Sequence, residues 1–255
     1  MGGALARGLA KGSIVATSDI YVSNPSVAKL EALKGEFPEI NVSTSNCEAV
    51  AKADMVVIAV KPWKVVEVLD EIKQGMDYSR QAVASMVGGL DIEQLTAWLD
   101  NGSGVLPATY LIIPNTAIAT MSSMTFIASA RSSAVQDSYL LDIFNELGRA
   151  MLIEERLIPA ATSLASCGIA YALRYIRAAM EGGVELGIRA DDAKAIVMQT
   201  LRGAADILAA NGSHPEAEID CVTTPGGLTI RGLNAMEAAG FTHSVIEGLR
   251  ASTKR

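Results

Sequence analysis

Two glycines follow a proline in Val222-Thr223-Thr224-Pro225-Gly226-Gly227-Leu228-Thr229-Ile230-Arg231-Gly232, with hydroxyl side chains on both sides and a helical pattern from about Ile230 to Ala239. These residue types at this spacing suit the seating of an anion. Glycine has no Cβ and tolerates positive φ, so the backbone can approach a ligand closely. The unpartnered N–H groups that open a helix attract carboxylate or phosphate. An ordinary turn ahead of a capped helix uses the same residues, and on this stretch alone both readings stand.

Other chemistries find less support. His214 and His243 lie in no metal-ligand pattern and have no visible Ser, Cys or Asp partner for nucleophilic catalysis. The cysteines Cys47, Cys167 and Cys221 are scattered, with no CxxC spacing, so neither a disulfide framework nor a metal site is expected, and a reducing, cytoplasmic setting is. A formal net charge of −7 argues against nucleic acid as a partner. The first residues lack the charged segment and apolar block of a signal peptide. Leu157 to Leu173 carries no charge, but Pro159, Gly168 and many small polar residues make it short and weakly apolar for a membrane span. A buried helix at a subunit contact is expected there instead, and no membrane partner.

The elements that must position such a site divide the chain in two. Strands are expected over 20–23, 41–43, 55–60, 81–86, 109–112 and 124–128, with helices over 26–33, 47–51, 64–73 and 92–99, the last capped by Asp91. This alternation implies a doubly wound, mostly parallel α/β sheet over 1–150. Beyond about Met151 the strand signals stop, and 151–255 reads as all helical: 160–182, 190–211 and 230–252, with small residues that permit close packing. Open α/β sheets bind ligands past the carboxyl ends of their strands. That places Ser23 and Asn24, then Ala59-Val60-Lys61-Pro62, then Met86-Val87-Gly88, at candidate cofactor positions. Ser and Asn where an acidic residue would bind ribose hydroxyls leave room for a 2′-phosphate, which favours NADP(H) with NAD(H) as the alternative. A turn after an edge strand, a solvated lysine and a helix cap at Asn46 account for the same residues structurally.

Taken in order, these segments resemble the pyrroline-5-carboxylate reductase family along nearly the whole chain. Met1-Gly2-Gly3-Ala4-Leu5-Ala6-Arg7-Gly8-Leu9, Asn46-Cys47-Glu48-Ala49-Val50, Val57-Ile58-Ala59-Val60-Lys61-Pro62, Ile113-Pro114-Asn115-Thr116, Ser166-Cys167-Gly168-Ile169-Ala170-Tyr171 and the Pro-Gly-Gly loop each match a family element. The resemblance implies a Rossmann-like NADP-binding domain followed by a helical dimerisation and substrate domain, assembled as a homodimer or higher homo-oligomer. It implies Asn46 near the adenine ribose and Lys61 near cofactor or substrate charge. Thr224, Gly227, Leu228 and Thr229 would sit around the carboxylate of pyrroline-5-carboxylate, with Thr229 also a candidate for proton delivery. Met1-Gly2 aligns with the end of the family's Gly-Ala-Gly-Asn-Met-Gly loop, so Gly2 takes the place of its third glycine. The first strand and the two phosphate-facing glycines are missing from the sequence, and a shortened chain with weak or absent cofactor binding is expected.

The chain departs from the family pattern at Ala117 and Ile169, where proline is usual, at Cys167 for serine, and at Leu228 for a smaller residue. The expected activity is NADPH-dependent reduction of 1-pyrroline-5-carboxylate to L-proline, the last step of proline biosynthesis. A related small imine or carbonyl reductase, or a catalytically inactive oligomeric member, remains as an alternative.

Overall fold

The computed structural model describes residues 1–253, which form two compact units, the first ending at Ser166 and the second beginning at Cys167. The first unit runs α1 (Gly2–Lys11), β1 (Tyr21–Ser23), α2 (Val27–Glu36), β2 (Asn41–Ser43), α3 (Asn46–Ala51), β3 (Met55–Ile58), α4 (Val65–Ile72), β4 (Ala82–Ser85), α5 (Ile92–Leu99), β5 (Thr109–Ile113), β6 (Ser123–Ala130), α6 (Ala134–Glu146), β7 (Gly148–Leu152) and the short α7 (Ile158–Ala161). Asp91 caps α5 as expected, its side chain accepting from the Gln94 N–H at 2.7 Å.

The strands form two sheets. β1 and β2 pair in parallel, and the larger sheet has the order β3-β4-β5-β6-β7. Its pairs are parallel except β5–β6, where Thr109 faces Ala130 and Ile113 faces Phe126 in antiparallel register. Among the described residues β1 pairs only with β2, and β3 only with β4. The described strands therefore form two separate sheets, and β1 and β3 do not pair with each other.

Period-two alternation decides which helix each strand residue meets. Val83 and Leu111 pack with Leu69 and Ile72 of α4 and Leu95 and Leu99 of α5. Their neighbours Ala84, Tyr110 and Ile112 face the other way, against Leu5 of α1 and Leu140, Phe144 and Leu147 around α6. Leu69, Leu95 and Leu99 are fully buried, each stabilising the layer by roughly 1.5–3 kcal/mol. β4 and β5 are buried at every position, as strands covered on both faces must be. A smaller core of Ala6, Ile20, Leu33 and Ile40 joins α1 and α2 to the two-stranded sheet.

Two elements of the first unit escape the sequence reading. α6 opens with a complete capping box between Ser133 and Gln136, and β7 adds to β6 in parallel. The expected domain boundary near Met151 falls inside β7.

In the second unit, α8 (Gly168–Glu185), α9 (Ala190–Asn211), α10 (Pro215–Cys221), α11 (Leu228–Ala238) and α12 (Phe241–Ala251) follow one another. The helix expected over 160–182 is instead α7, a π-helical turn (Thr162–Cys167) and α8. The one expected over 230–252 is two helices, broken at Gly240, whose φ of +83° needs glycine. α10 was not expected. Small residues do permit close packing: a Cβ on Gly183 would lie 3.1 Å from Ala193 Cβ. The expectation of a buried helix fails within one chain, because α8 has no buried residue. Glu155–Glu185, which includes the charge-free run from Leu157 to Leu173, is long and apolar enough to cross a membrane by length and composition alone.

Candidate functional site

The expected cofactor positions in the first unit gather at the carboxyl ends of β1, β3 and β4 and at the start of α1. Gly2 opens α1 beside Ala59; a Cβ on Gly2 would stand 3.0 Å from Ala59 Cβ, tighter than an ordinary contact, so glycine eases the close approach of the helix to the end of β3. Met1 is the N-cap and makes no side-chain cap bond, which leaves first-turn N–H groups available to an anion. The Arg7 guanidinium grips Glu36 with two bonds of 2.7 and 2.6 Å, fixing α1 to α2. Hydrogen bonding from Arg7 holds the Glu36 carboxyl below its ordinary range, and Glu36 raises Arg7 in turn.

Past β1, Ser23 Oγ donates to Asn46 Oδ1 at 2.7 Å, and Asn24 Oδ1 accepts from the Ser26 N–H at 2.9 Å. Asn46 lies at the start of α3, but the cap of that helix is Ser45, whose side chain accepts from the Glu48 N–H. The amide of Asn46 is thus left for other work, and Nδ2 donates to Glu71 Oε2 at 2.7 Å. Past β3, Ala59, Val60 and Lys61 are exposed, and Pro62 starts a single 3₁₀ turn leading into α4. Past β4, the Met86 N–H is spent on the Ile58 carbonyl at 2.9 Å. The Val87 side chain is buried in the core with Leu95 and its N–H donates to Ser85 Oγ at 3.2 Å, so Val87 offers a ligand only its carbonyl, whereas Gly88 is exposed.

In the second unit, Gly227 N–H donates to Thr224 O at 2.9 Å around Pro225 and Gly226, the latter at φ +69°. Proline followed by a positive-φ glycine is the pattern of a type II turn. Gly227 is the N-cap of α11 and has no side chain to cap it. Helix-opening N–H groups therefore stand beside two exposed hydroxyls, Thr224 and Thr229, with Leu228 85% exposed between them. This is donor chemistry suited to a carboxylate.

Two further motif pieces meet within the first unit. Asn115 is 5% exposed and caps the turn after β5, its Oδ1 accepting from Ala117 N–H at 3.0 Å. Its Nδ2 donates to Ala165 O and Ser166 Oγ to Pro114 O, both at 3.5 Å, at the limit of a hydrogen bond. Ala165 and Ser166 belong to the π-helical turn, a local irregularity that often marks functional positions. No group of three or more His, Cys, Asp or Glu side chains able to hold a metal occurs among the described residues.

Comparison with known proteins brings these pieces under one heading. Residues 155–255 match the family described as pyrroline-5-carboxylate reductase dimerisation, and residues 1–87 match NADP oxidoreductase coenzyme F420-dependent. Pyrroline-5-carboxylate reductase 2 of Dictyostelium discoideum is 34% identical over 100% of this chain and 88% of its own length. This chain belongs to the pyrroline-5-carboxylate reductase family. A longer family member, pyrroline-5-carboxylate reductase 1 of the same organism, is 38% identical over the whole chain, which spans 47% of that relative, about half its length. The solved Plasmodium falciparum pyrroline carboxylate reductase with NADP bound superposes with a TM-score of 0.86 at 27% identity, covering 99% of this chain and 92% of that one.

Within the reductase family's frame, the structure brings Ser23 together with Asn46, and Gly2 together with Ala59. Thr224 to Thr229 form their own cluster at the start of α11. Glu71, 25 residues from Asn46 along the chain, was not found from sequence. No local motif surrounds it, and only the packing of α4 beside α3 joins them. Cys167, which stands where the family has serine, is half-exposed.

Proposed function

We propose that this chain reduces 1-pyrroline-5-carboxylate to L-proline, the closing step of proline biosynthesis, with NADPH as hydride donor and NADH as the alternative. The turn from Thr224 to Gly227 opening an uncapped α11 carries the reading, because it offers a carboxylate both helix N–H groups and hydroxyls. The close approach of Gly2 to Ala59 and the uncapped start of α1 fit a dinucleotide phosphate. When bound, the reduced nicotinamide supplies the hydride.

The chain's own part is positioning and charge complementarity. In the second unit, Thr224, Thr229 and the N–H groups past Gly227 would hold the carboxylate; in the first unit, the backbone past β4 from Met86 to Gly88 would meet the nicotinamide. The substrate's imine carbon accepts the hydride, the C=N π pair moves to nitrogen, and that nitrogen gains a proton from water, with Thr229 able to relay it. Leu228, bulky and 85% exposed at the seat, favours a second reading in which a related cyclic imine is the substrate.

The same proposal includes a homodimer. α8, α10, α11 and α12 contain no buried residue, and α9 buries only Ala193. Leu173 at 58% and Leu186 at 85% exposure lie in the stretch that matches the dimerisation family, and such surface calls for a partner. A second copy, rather than a bilayer, covers α8 in this reading. A cytoplasmic setting is part of the proposal, supported by three free cysteines.

The test follows NADPH oxidation and proline formation with pyrroline-5-carboxylate. Equal molar loss of NADPH and gain of proline is expected. A folded protein that oxidises neither NADPH nor NADH with this substrate would overturn the reading.

A further inference from the structure

We propose that Glu71, acting through Asn46, sets the hydrogen-bond polarity of Ser23 and narrows the site's preference for the 2′-phosphorylated dinucleotide, NADP(H), over NAD(H), whose ribose 2′-hydroxyl is free. The proposal rests on the reading that the carboxyl end of β1 holds the adenine-side ribose.

Three side chains form one chain of bonds. Asn46 Nδ2 donates to Glu71 Oε2 at 2.7 Å, and Ser23 Oγ donates to Asn46 Oδ1 at 2.7 Å. A carboxylate has no proton to give, so the Asn46 amide must turn its NH₂ toward Glu71 and its carbonyl toward Ser23. That carbonyl takes the single hydrogen of the Ser23 hydroxyl. What Ser23 presents beyond the pair is lone pairs alone. A ribose 2′-hydroxyl can donate to them; a 2′-phosphate, which brings acceptor oxygens, finds no donor there.

The surroundings do not reverse this polarity. Asn24, Pro25 and Ser26 follow Ser23 with no Lys or Arg among them. Asn24 Oδ1 is engaged by the Ser26 N–H, and its NH₂ remains to meet a phosphate. The phosphate is therefore disfavoured at Ser23 rather than excluded, and the chain uses both cofactors in a ratio that Glu71 adjusts. Ser23 and Asn46 are half-buried and hold their geometry, whereas Glu71 is exposed. Its replacement should leave the fold intact while freeing the amide to turn over.

Glu71→Gln is the variant to make, because glutamine can donate as well as accept. KM and kcat are measured with NADPH and with NADH, and 2′,5′-ADP and 5′-AMP are titrated calorimetrically as ribose-end probes. The expected result is an NADPH-to-NADH KM ratio lowered about five-fold, the size of one exposed polar or charged contact, with both kcat values unchanged. 2′,5′-ADP should tighten relative to 5′-AMP. Ser23→Ala, which removes the lone pairs, should weaken 5′-AMP more than 2′,5′-ADP. If wild type binds both probes and neither variant moves their ratio, the role of Glu71 is wrong and the ribose site stands. If wild type binds neither probe, the ribose site and the proposal fall together.

Discussion

The N–H of Gly227 donates to the carbonyl of Thr224 at 2.9 Å, and a Cβ on Gly227 would stand 2.5 Å from Thr224 Oγ1 and 3.0 Å from Thr224 O. The bond that closes the turn thus also brings the threonine side chain against the start of α11. A glycine with ordinary φ of −67° is required here by space, not by backbone conformation.

Replacing Gly227 with alanine should open this turn. Overpacking of this kind costs about 1–3 kcal/mol, and it displaces Thr224 from the helix start. Activity with pyrroline-5-carboxylate should fall at least about ten-fold in kcat/KM, with NADPH affinity unchanged. Steady-state kinetics beside a fluorescence titration of NADPH would read both; undiminished kcat/KM would remove the loop from the substrate site.

Thr229→Val keeps the shape of the side chain and removes its hydroxyl. Loss of one hydrogen bond to a charged group, worth about 1.5–3 kcal/mol, should appear mainly as a raised KM for the imine. A drop in kcat at unchanged KM would instead assign Thr229 to proton delivery.

In the first unit, Gly2→Leu should push α1 away from Ala59, since even a Cβ comes within 3.0 Å. Cofactor binding should be lost and the melting temperature lowered, the strain being about 1–3 kcal/mol. A variant that binds NADPH as tightly as wild type would show that the start of α1 does not hold the cofactor.

Glu146 gives an acid-side prediction. The Ser13 hydroxyl, then the N–H groups of Ile14 and Ser13, hold its carboxyl below the ordinary range, and the N–H bonds measure 2.8 to 3.0 Å. A depressed folded-state pKa contributes stability that is present above the unfolded value, about 4.3, and is lost as pH falls through the folded one. Glu146→Gln should therefore be less stable than wild type at pH 7, and the difference should shrink as pH falls below about 4. Urea melts across that range would decide; a difference that stays constant with pH would mean the carboxylate charge is not what binds the loop after α1.

Leu173→Asp tests the oligomer. Leu173 is 58% exposed on α8, and a charge there should shift the protein toward monomers in light scattering after size exclusion. An unchanged mass would place the subunit contact elsewhere.

Much of the first unit was legible from residues alone, because its buried strands are short apolar runs between turn formers. β4 and β5 were found within a residue or so at each end. β7, Gly148-Arg149-Ala150-Met151-Leu152, was not: it is a half-covered edge strand whose residues show neither alternation nor a continuous apolar run. α6 hid behind a weak apolar pattern, although the spacing of Ser133 and Gln136 was the signal that would have found it. Gly240 lay in plain view, but a lone glycine in a helical pattern does not reveal that its φ is positive.

The sequence by itself determined the alternating first unit, the helical second one, the family and the Pro-Gly-Gly turn ahead of α11, because these depend on neighbours within a few residues. Tertiary structure alone decided that β6 runs against β5 and that Val87 turns into the core. It also decided that Glu71 meets Asn46. Strand direction, sheet edges and side-chain partners follow from how separate elements pack, and no local periodicity encodes which of two distant faces will touch.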